Sequence, residues 1–211
     1  MRQPKSLILS GIILAMFAIR LIPYALKASG ADLALDVLNS GLWNISPLTA
    51  VCLLGGVCFG SRTWAILVPL IAWLLSSVAM CALTHDWQYL KYPGAPLVCG
   101  CFLVASLLGT LLQRQSLLTK FAAGTGLALL CECLFFVVTN GAEWLLLPYY
   151  APQFQYPMTF EGLLACYTMG LPFFKHSLLG TTLFFPVLLA SYELAQRKIP
   201  ALQAEPQLAE A

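Results

Sequence analysis

Long apolar runs, separated by short polar or proline-containing segments, dominate the pattern along the chain. The hydrocarbon core of a bilayer is about 30 Å thick, and about 20 apolar residues in a helix cross it. Six runs are predicted as transmembrane helices, over residues 6–23, 47–60, 63–83, 96–112, 121–139 and 177–195. The pattern therefore predicts an all-α membrane protein. Residues 1–198 would form a single transmembrane domain, a six-transmembrane-helix bundle, and residues 199–211 a disordered cytoplasmic tail.

One shorter apolar run, residues 161–174, remains outside these six. It contains Gly162 and Gly170 and ends near Pro172, and at about fourteen residues it is short for a membrane span. We expect a re-entrant or interfacial helix here, placed just before the last span. If this run crossed the membrane instead, the C-terminus would lie on the opposite side.

Basic residues decide between six and seven spans, because short cytoplasmic loops carry an excess of Lys and Arg. With six spans, one side of the membrane receives Arg2, Lys5, Arg62, Arg114, Lys120, Arg197 and Lys198. The longer loops on the other side carry Lys27, Lys91 and several acidic residues. We therefore expect an N-in, C-in topology. Because Arg20 interrupts the first apolar run, we also expect that run to be retained as a span and not removed as a signal peptide.

Composition agrees with a membrane protein. The hydrophobic fraction is 60%, the charged fraction is 9% and the mean hydropathy is +0.82, whereas soluble domains average about 45–50% apolar and about 25% charged residues. So few charges could not cover the surface of a water-soluble enzyme. A formal net charge of +2, with scattered basic residues, gives no indication of nucleic-acid binding. The expected location is the inner (cytoplasmic) membrane of a cell, as a multi-pass protein.

The loops predicted on the outer side are longer and richer in aromatic residues than the cytoplasmic loops. They cover residues 24–46, 84–95 and 140–176 and contain Trp43, Trp87, Tyr89, Tyr92, Trp144, Tyr149, Tyr150, Tyr156 and Tyr167. A single ring of this kind most often belongs to the interfacial aromatic belt. Long ordered loops are usually functional, however, and aromatic rings with a few polar groups are typical of small-molecule pockets. We therefore expect a ligand site in the outer half of the bundle.

Two ionisable residues lie within the predicted spans. Glu132 is near the middle of the fifth span, where a charged group costs about 2.5–3.5 kcal/mol on insertion scales. It should therefore face the bundle interior and either pair or be protonated. Arg20 lies close to the outer end of the first span, where it can snorkel to the headgroups, contact an anionic ligand or pair with Glu132. Ligand binding and a structural pair both remain open for these two residues.

Other polar residues near the outer ends of the spans complete the candidate site. Asn140 and Trp144 are four residues apart and share one face if the segment is helical. Asn44 precedes Pro47, where capping of the second span is its simpler role. Lys175 begins the last span, and lysines at helix ends are more often snorkelling anchors than ligand contacts.

Residue patterns that carry catalysis or bind metal are missing from the sequence. His176 has no second histidine at metal-ligand spacing, and neither a phosphate-binding glycine loop nor a catalytic triad spacing occurs. The eight cysteines lie in apolar stretches, where they usually behave as small hydrophobic residues. We expect no metal, no cofactor, no disulfide framework and no enzymatic activity, with an integral-membrane enzyme as the least favoured hypothesis.

The six spans, the long first outer loop and the segment Leu171-Pro172-Phe173-Phe174-Lys175 resemble the substrate-binding S-components of energy-coupling-factor (ECF) micronutrient transporters. More closely, residues 7–195 resemble an uncharacterised bacterial multi-pass membrane protein family related to these S-components. The residues that carry this resemblance are Arg20-Leu21-Ile22-Pro23, Asn44-Ile45-Ser46-Pro47-Leu48-Thr49-Ala50, Leu54-Gly55-Gly56, Thr139-Asn140, Trp144 and Gly162 through Lys175.

The resemblance implies a vitamin or similar small molecule, bound in the outer half of the bundle under the first loop. It also implies a transmembrane coupling subunit that joins two cytoplasmic ATPases, docked through small residues of the first span, here Gly11, Ala15 and Ala18.

We therefore expect an integral membrane substrate-binding subunit of an uptake transporter. Its site would contain Arg20, Asn44, Glu132, Asn140, Trp144 and Lys175. Arg20 and Lys175 would favour an anionic group on the ligand. The alternative is a structural or assembly membrane protein without a small-molecule ligand, which would also explain the small residues at helix-packing spacing.

Overall fold

The structure is a computed structural model that describes residues 9–14, 21–29, 47–154 and 156–199. Its regular elements within these ranges are all helical, which confirms the predicted all-α class for this part of the chain. Residues 9–14 form a helical segment. The helices that follow are α1 (Ile22–Ala28), α2 (Leu48–Cys58), α3 (Arg62–Thr84), α4 (Ala95–Thr110), α5 (Leu117–Tyr150) and α6 (Phe160–Lys198), and 3₁₀ turns lie at Trp87–Leu90 and Pro152–Phe154.

Three of these helices, α3, α5 and α6, are long and apolar enough to cross a membrane, and α2 and α4 are shorter apolar helices. The predicted spans 47–60, 63–83 and 96–112 correspond to α2, α3 and α4, with ends that differ by one or two residues. Half of the predicted first span, residues 6–8 and 15–20, and the tail, 200–211, lie outside the described residues. Within those residues the helices suit a membrane protein, although fewer of them have full spanning length than the sequence pattern predicts.

Helix α6 differs most from the sequence prediction. The segment 161–174 is not a separate interfacial helix, because α6 runs without interruption from Phe160 to Lys198 through Pro172 and Pro186. Helix α5 likewise extends through Pro148 to Tyr150, beyond its predicted end at residue 139. Proline removes one backbone donor, and in a packed apolar bundle neighbouring helices support the chain on both sides of the gap. Pro172 therefore predicted a helix boundary that the structure does not contain.

Helices α5 and α6 form a long antiparallel pair. They contain 34 and 39 residues, and at 1.5 Å per residue they are about 51 and about 58 Å long, well beyond the hydrocarbon thickness. Side chains join them along their length. Phe136 stacks on Phe174 with ring centroids 4.4 Å apart, and the Tyr167 hydroxyl donates to the carbonyl oxygen of Val137 over 2.7 Å. We call this contact the α5–α6 seam.

Helix α2 forms the centre of the bundle. All residues from Thr49 to Cys58 are buried, and α2 packs against α3, α4, α5 and α6. Its closest neighbour is α4. A Cβ atom at Gly56 would meet the carbonyl oxygen of Ser106 and would lie 2.8 Å from the Cα atom of Gly109. Small residues permit this backbone approach between α2 and α4.

One end of the bundle collects basic residues, and we call it the basic end. It carries Arg62, Arg114, Lys120, Arg197 and Lys198, which begin or follow α3 to α6. The Gln113 amide donates to the carbonyl oxygens of Gly56 and Phe59 over 2.8 and 2.6 Å, at the C-terminus of α2. Carbonyl groups at helix ends have no partner within the helix, so Gln113 supplies one. Lys120 and Glu193 form an ion pair at 3.3 Å between α5 and α6.

Candidate ligand site

A cavity of about 740 Å³ opens away from the basic end. It lies between α3, α4 and α5, beneath the loop that joins α3 to α4. Its apolar wall consists of Leu48, Trp73, Met80, Pro93, Val98, Phe102 and Phe135, and its polar groups come from Ser77, Asp86, Lys91, Tyr92 and Tyr150. Small-molecule sites have volumes of about 300–1,000 Å³ and are mostly apolar with a few polar groups, so this cavity has the size and lining of such a site.

Aromatic rings form the deep wall of the cavity. Trp73 of α3 meets Phe102 of α4 edge-on, with ring centroids 6.4 Å apart. Phe102 in turn stacks on Phe135 of α5 at 5.8 Å and an interplanar angle of 19°. Each ring comes from a different helix, and together the three rings form the floor of the cavity.

Glu143 organises the opening of the cavity. The Tyr92 hydroxyl donates to one oxygen of the Glu143 carboxylate over 3.0 Å, and the Tyr150 hydroxyl donates to the other. The two tyrosine rings also meet edge-on at 5.9 Å. Glu143 and Tyr150 are seven residues apart, and two helical turns place them on the same face of α5. Tyr92 comes from the loop after α3, so this tyrosine–glutamate cluster ties that loop to α5.

The environment of Tyr92 keeps its phenol protonated. Burial is the largest influence and the negative charge of Glu143 is the next, and both raise the pKa of Tyr92 above its ordinary value. A low-dielectric surrounding and a nearby anion both disfavour the phenolate form. The Tyr92 hydroxyl is therefore a donor to Glu143 throughout the physiological pH range.

Two of the six residues predicted to bind ligand, Arg20 and Asn44, lie outside the described residues, as do Ala15 and Ala18. Glu132 is only 3% exposed, and it accepts a hydrogen bond from the Thr181 hydroxyl over 2.9 Å. Its side chain thus faces the bundle interior, as the cost of a carboxylate in lipid predicts. It belongs to the α5–α6 seam and is not among the residues that line the cavity.

Asn140 and Trp144 lie further along α5, near the point where the chain turns back into α6. The Asn140 amide donates to the carbonyl oxygen of Phe136 over 2.9 Å, and the Trp144 indole donates to the carbonyl oxygen of Pro157 over 3.0 Å. A Cβ atom at Gly170 of α6 would collide with the Asn140 side chain. The structure therefore gathers these predicted residues along the α5–α6 seam, away from the cavity.

Two further predicted residues lie on the outer surface of the protein. Lys175 is exposed on α6 and does not line the cavity. Gly11 is also exposed, and a Cβ atom there would meet nothing within 4 Å, whereas Leu9 and Ile13 of the same helical segment are buried. The side of this segment that carries Gly11 therefore faces away from the bundle.

The residues around the cavity had only a general signal in the sequence. Tyr92 and Tyr150 belong to the aromatic residues of the outer loops, and Asp86, Lys91 and Glu143 to the charges of the same loops. Because aromatic rings and charges occur together in these segments, the sequence predicted a ligand site there. It did not predict which of these side chains contact one another. Trp73, Phe102 and Phe135 had no signal, because an apolar ring inside a span looks the same whether it faces lipid or a cavity.

Metal ligands do not come together within the described ranges, where no group of three His, Cys, Asp or Glu side chains could hold an ion. The eight cysteines are all free thiols, and six of them are buried. The Cys166 thiol is 3.4 Å from the carbonyl oxygen of Asn140, within the α5–α6 seam. The groups that line the cavity are aromatic rings, hydroxyl groups, one acidic side chain and one basic side chain.

Comparison with known proteins identifies one family. The family of unknown function DUF6580 matches residues 1–202. No curated protein matches the chain, and no solved structure matches it.

Proposed function

Because the chain belongs to the DUF6580 family, whose function is unknown, we propose its function from the geometry of the cavity. The protein is an integral membrane subunit that binds a small molecule in the outer half of its bundle. It serves a micronutrient-type uptake system of the kind that its sequence resembles. The proposal includes no enzymatic activity.

One observation carries the proposal, namely the cavity of about 740 Å³ with its aromatic floor and polar opening. Its wall contains Trp73, Phe102 and Phe135, and its polar groups include the hydroxyls of Tyr92 and Tyr150. A mostly apolar and aromatic lining with a few polar groups is typical of small-molecule sites, and this supports a binding role.

The distribution of charge supports an orientation for this site. The basic end carries Arg62, Arg114, Lys120, Arg197 and Lys198, and such residues favour the cytoplasmic side. With both termini in the cytoplasm and six spans, the cavity opens to the outside of the inner membrane, where an uptake protein meets its substrate. A transmembrane coupling subunit linked to cytoplasmic ATPases would then dock at the exposed side of Gly11. Ala15 and Ala18, the other two residues predicted for this docking, lie outside the described residues.

The test is to identify a small molecule that is bound to the purified protein. We expect a small molecule to co-purify from native membranes and to be released on denaturation, as detected by mass spectrometry. Val98→Trp, which fills the cavity, should abolish this. The matched control is Val137→Trp, which adds the same side chain at a position that is 53% exposed on α5 and should retain the molecule.

Two results would contradict the proposal. Either no molecule is released from the wild-type protein, or Val98→Trp retains it as well as Val137→Trp does. A stable complex with another membrane protein, unaffected by Glu132→Gln and accompanied by no released molecule, would instead favour the structural or assembly role.

The site predicted from the sequence alone is a separate prediction with its own test. If Arg20→Ala and Lys175→Ala leave binding of the released molecule unchanged, those two residues are not part of the site.

A further inference from the structure

Two arginines, Arg62 and Arg114, lie near each other at the basic end, at a place that we call the arginine corner. Arg62 begins α3, and Arg114 belongs to the loop between α4 and α5. The Gln113 amide donates to the carbonyl oxygen of Phe59 over 2.6 Å, which joins this loop to the turn between α2 and α3. Gln113 directly precedes Arg114, and Phe59 is three residues before Arg62. One contact therefore holds both arginines at the same corner of the bundle.

The positive charge of the arginine corner has no counter-charge within the described residues. Both arginine side chains are exposed, and neither takes part in a hydrogen bond or an ion pair with another described residue. The two segments that form the corner, 56–64 and 110–120, contain no Asp or Glu. Glu193, which lies near the C-terminal end of α6, pairs with Lys120 at 3.3 Å. The corner therefore attracts an anion from outside the described chain.

Exposed apolar side chains lie beside the two arginines. Leu111 and Leu118, on either side of Arg114 in the chain, are 65% and 80% exposed, and Trp64, two residues after Arg62, is also exposed. Such leucines gain free energy when acyl chains cover them, because apolar surface is then removed from water. Arginine keeps its apolar stem among such groups while its guanidinium reaches the headgroups. These side chains therefore suit the boundary between acyl chains and headgroups.

From these observations we propose that the arginine corner binds the phosphate group of an anionic phospholipid, whose acyl chains lie against Leu111 and Leu118. A guanidinium group binds phosphate oxygens through paired hydrogen bonds, and it stays charged at every physiological pH. Anionic lipids of the cytoplasmic leaflet attract basic residues near the membrane surface, which agrees with the expected orientation of the basic end. The inference concerns a lipid at the surface of the bundle, and it does not depend on the proposed function of the cavity.

Native mass spectrometry of the purified protein in detergent tests this inference. The protein is mixed with equal amounts of phosphatidylglycerol and phosphatidylcholine that carry the same acyl chains, and the retained lipid is identified by its mass. We expect phosphatidylglycerol to be retained in at least about tenfold excess, because each basic residue at an anionic surface contributes about a fivefold gain in affinity. An excess of inorganic phosphate should not displace the lipid, since phosphate has no acyl chain to cover the leucines.

Variants then locate the site. Arg62→Gln and Arg114→Gln should each lower the excess about threefold to fivefold, and the double variant should abolish it. Arg114→Lys keeps the charge without the paired hydrogen bonds, and it should lose less than Arg114→Gln does. The matched control is Lys175→Gln, which removes an exposed positive charge about six helical turns before the end of α6 and should leave the excess unchanged. Equal melting temperatures of the variants would show that each of them folds.

Each contrary result overturns the inference. Equal retention of the two lipids, or retention of neither, would leave the arginines as a signal for membrane topology alone. Displacement by inorganic phosphate would identify a soluble anion as the occupant in place of a lipid. An equal loss of the excess in Lys175→Gln would show a general effect of charge and would contradict a site at the arginine corner. None of these results bears on the cavity, whose own test is the co-purified molecule.

Discussion

The two ends of helix α4 are packed in opposite ways. Near its C-terminus, Gly109 lies directly against α2, and a Cβ atom there would collide with the carbonyl oxygen of Leu53. Near its N-terminus, Val98 and Phe102 face a cavity of about 740 Å³. Small residues allow backbones to approach, whereas aromatic rings on neighbouring helices hold them apart. The same bundle therefore has a closed basic end and an open end that contains the cavity.

The two ends also differ in the kind of contact that holds them together. The closed end obtains its order from backbone contacts and from the Gln113 amide, which pairs with the end of α2. At the open end, hydrogen bonds from the Tyr92 and Tyr150 side chains to Glu143 join the loop after α3 to α5. We therefore expect substitutions at the closed end to affect global unfolding most, and substitutions at the open end to affect the loop most.

The largest effect is expected for Gly56→Ala. The new methyl group would meet the backbone of Ser106 and Gly109, which cannot move without displacing α4. We expect a loss of about 3 kcal/mol in the free energy of unfolding, at the upper end of overpacking effects. Thermal unfolding in detergent measures it. Gly100→Ala on α4, where a Cβ atom meets nothing within 4 Å, is the control and should not destabilise. Equal melting temperatures for the two variants would refute the close contact.

A smaller effect is expected for Thr181→Val in the α5–α6 seam. This change removes the hydroxyl that donates to the buried Glu132 carboxylate while keeping the side-chain shape. An unsatisfied buried polar group costs about 1–3 kcal/mol, and more if it is charged, so the melting temperature should fall. Thr182→Val is the matched control, because the Thr182 hydroxyl donates to the carbonyl oxygen of Leu178 in its own helix. If both variants melt alike, the Glu132 contact does not stabilise the seam.

The smallest effect on global stability is expected for Tyr92→Phe at the open end. The lost bond to Glu143 should cost about 0.5–1.5 kcal/mol and loosen the loop after α3. Hydrogen exchange of residues 87–94 should accelerate, while exchange in α2 stays the same. Tyr149→Phe is the control, since Tyr149 is 84% exposed. Faster exchange in α2 as well would contradict the separation between the two ends.

The same loop should respond to alkaline pH. Burial and Glu143 raise the pKa of Tyr92 in the folded protein, so the unfolded chain loses this proton first. The stabilisation is therefore complete below about pH 10, the ordinary tyrosine value, and is lost as the pH rises towards the folded pKa. Exchange of residues 87–94 should accelerate above that pH in the wild-type protein. Tyr92→Phe should lack this part of the pH dependence, and an identical alkaline response in both proteins would contradict it.

Much of the helical architecture could be predicted from residues alone. The apolar runs around Leu53, Ala72 and Ala105 correspond to α2, α3 and α4, because lipid or a packed interior requires uninterrupted helical hydrogen bonding. The interior position of Glu132 followed from the cost of a carboxylate among acyl chains. The continuity of α6 through Pro172 could not be predicted, since it depends on α5 packing beside it.

The candidate site shows the same limit. The sequence by itself predicted that aromatic rings and charges collect in the segments 84–95 and 140–176, and that a buried acid would face inward. Only the tertiary structure decided that Glu143 receives two tyrosine hydroxyls, while Glu132, Asn140 and Trp144 serve the α5–α6 seam. The reason is physical. Local sequence determines which face of a helix a residue occupies, but the neighbour on that face depends on how separate helices pack, and that contact joins residues far apart in the chain.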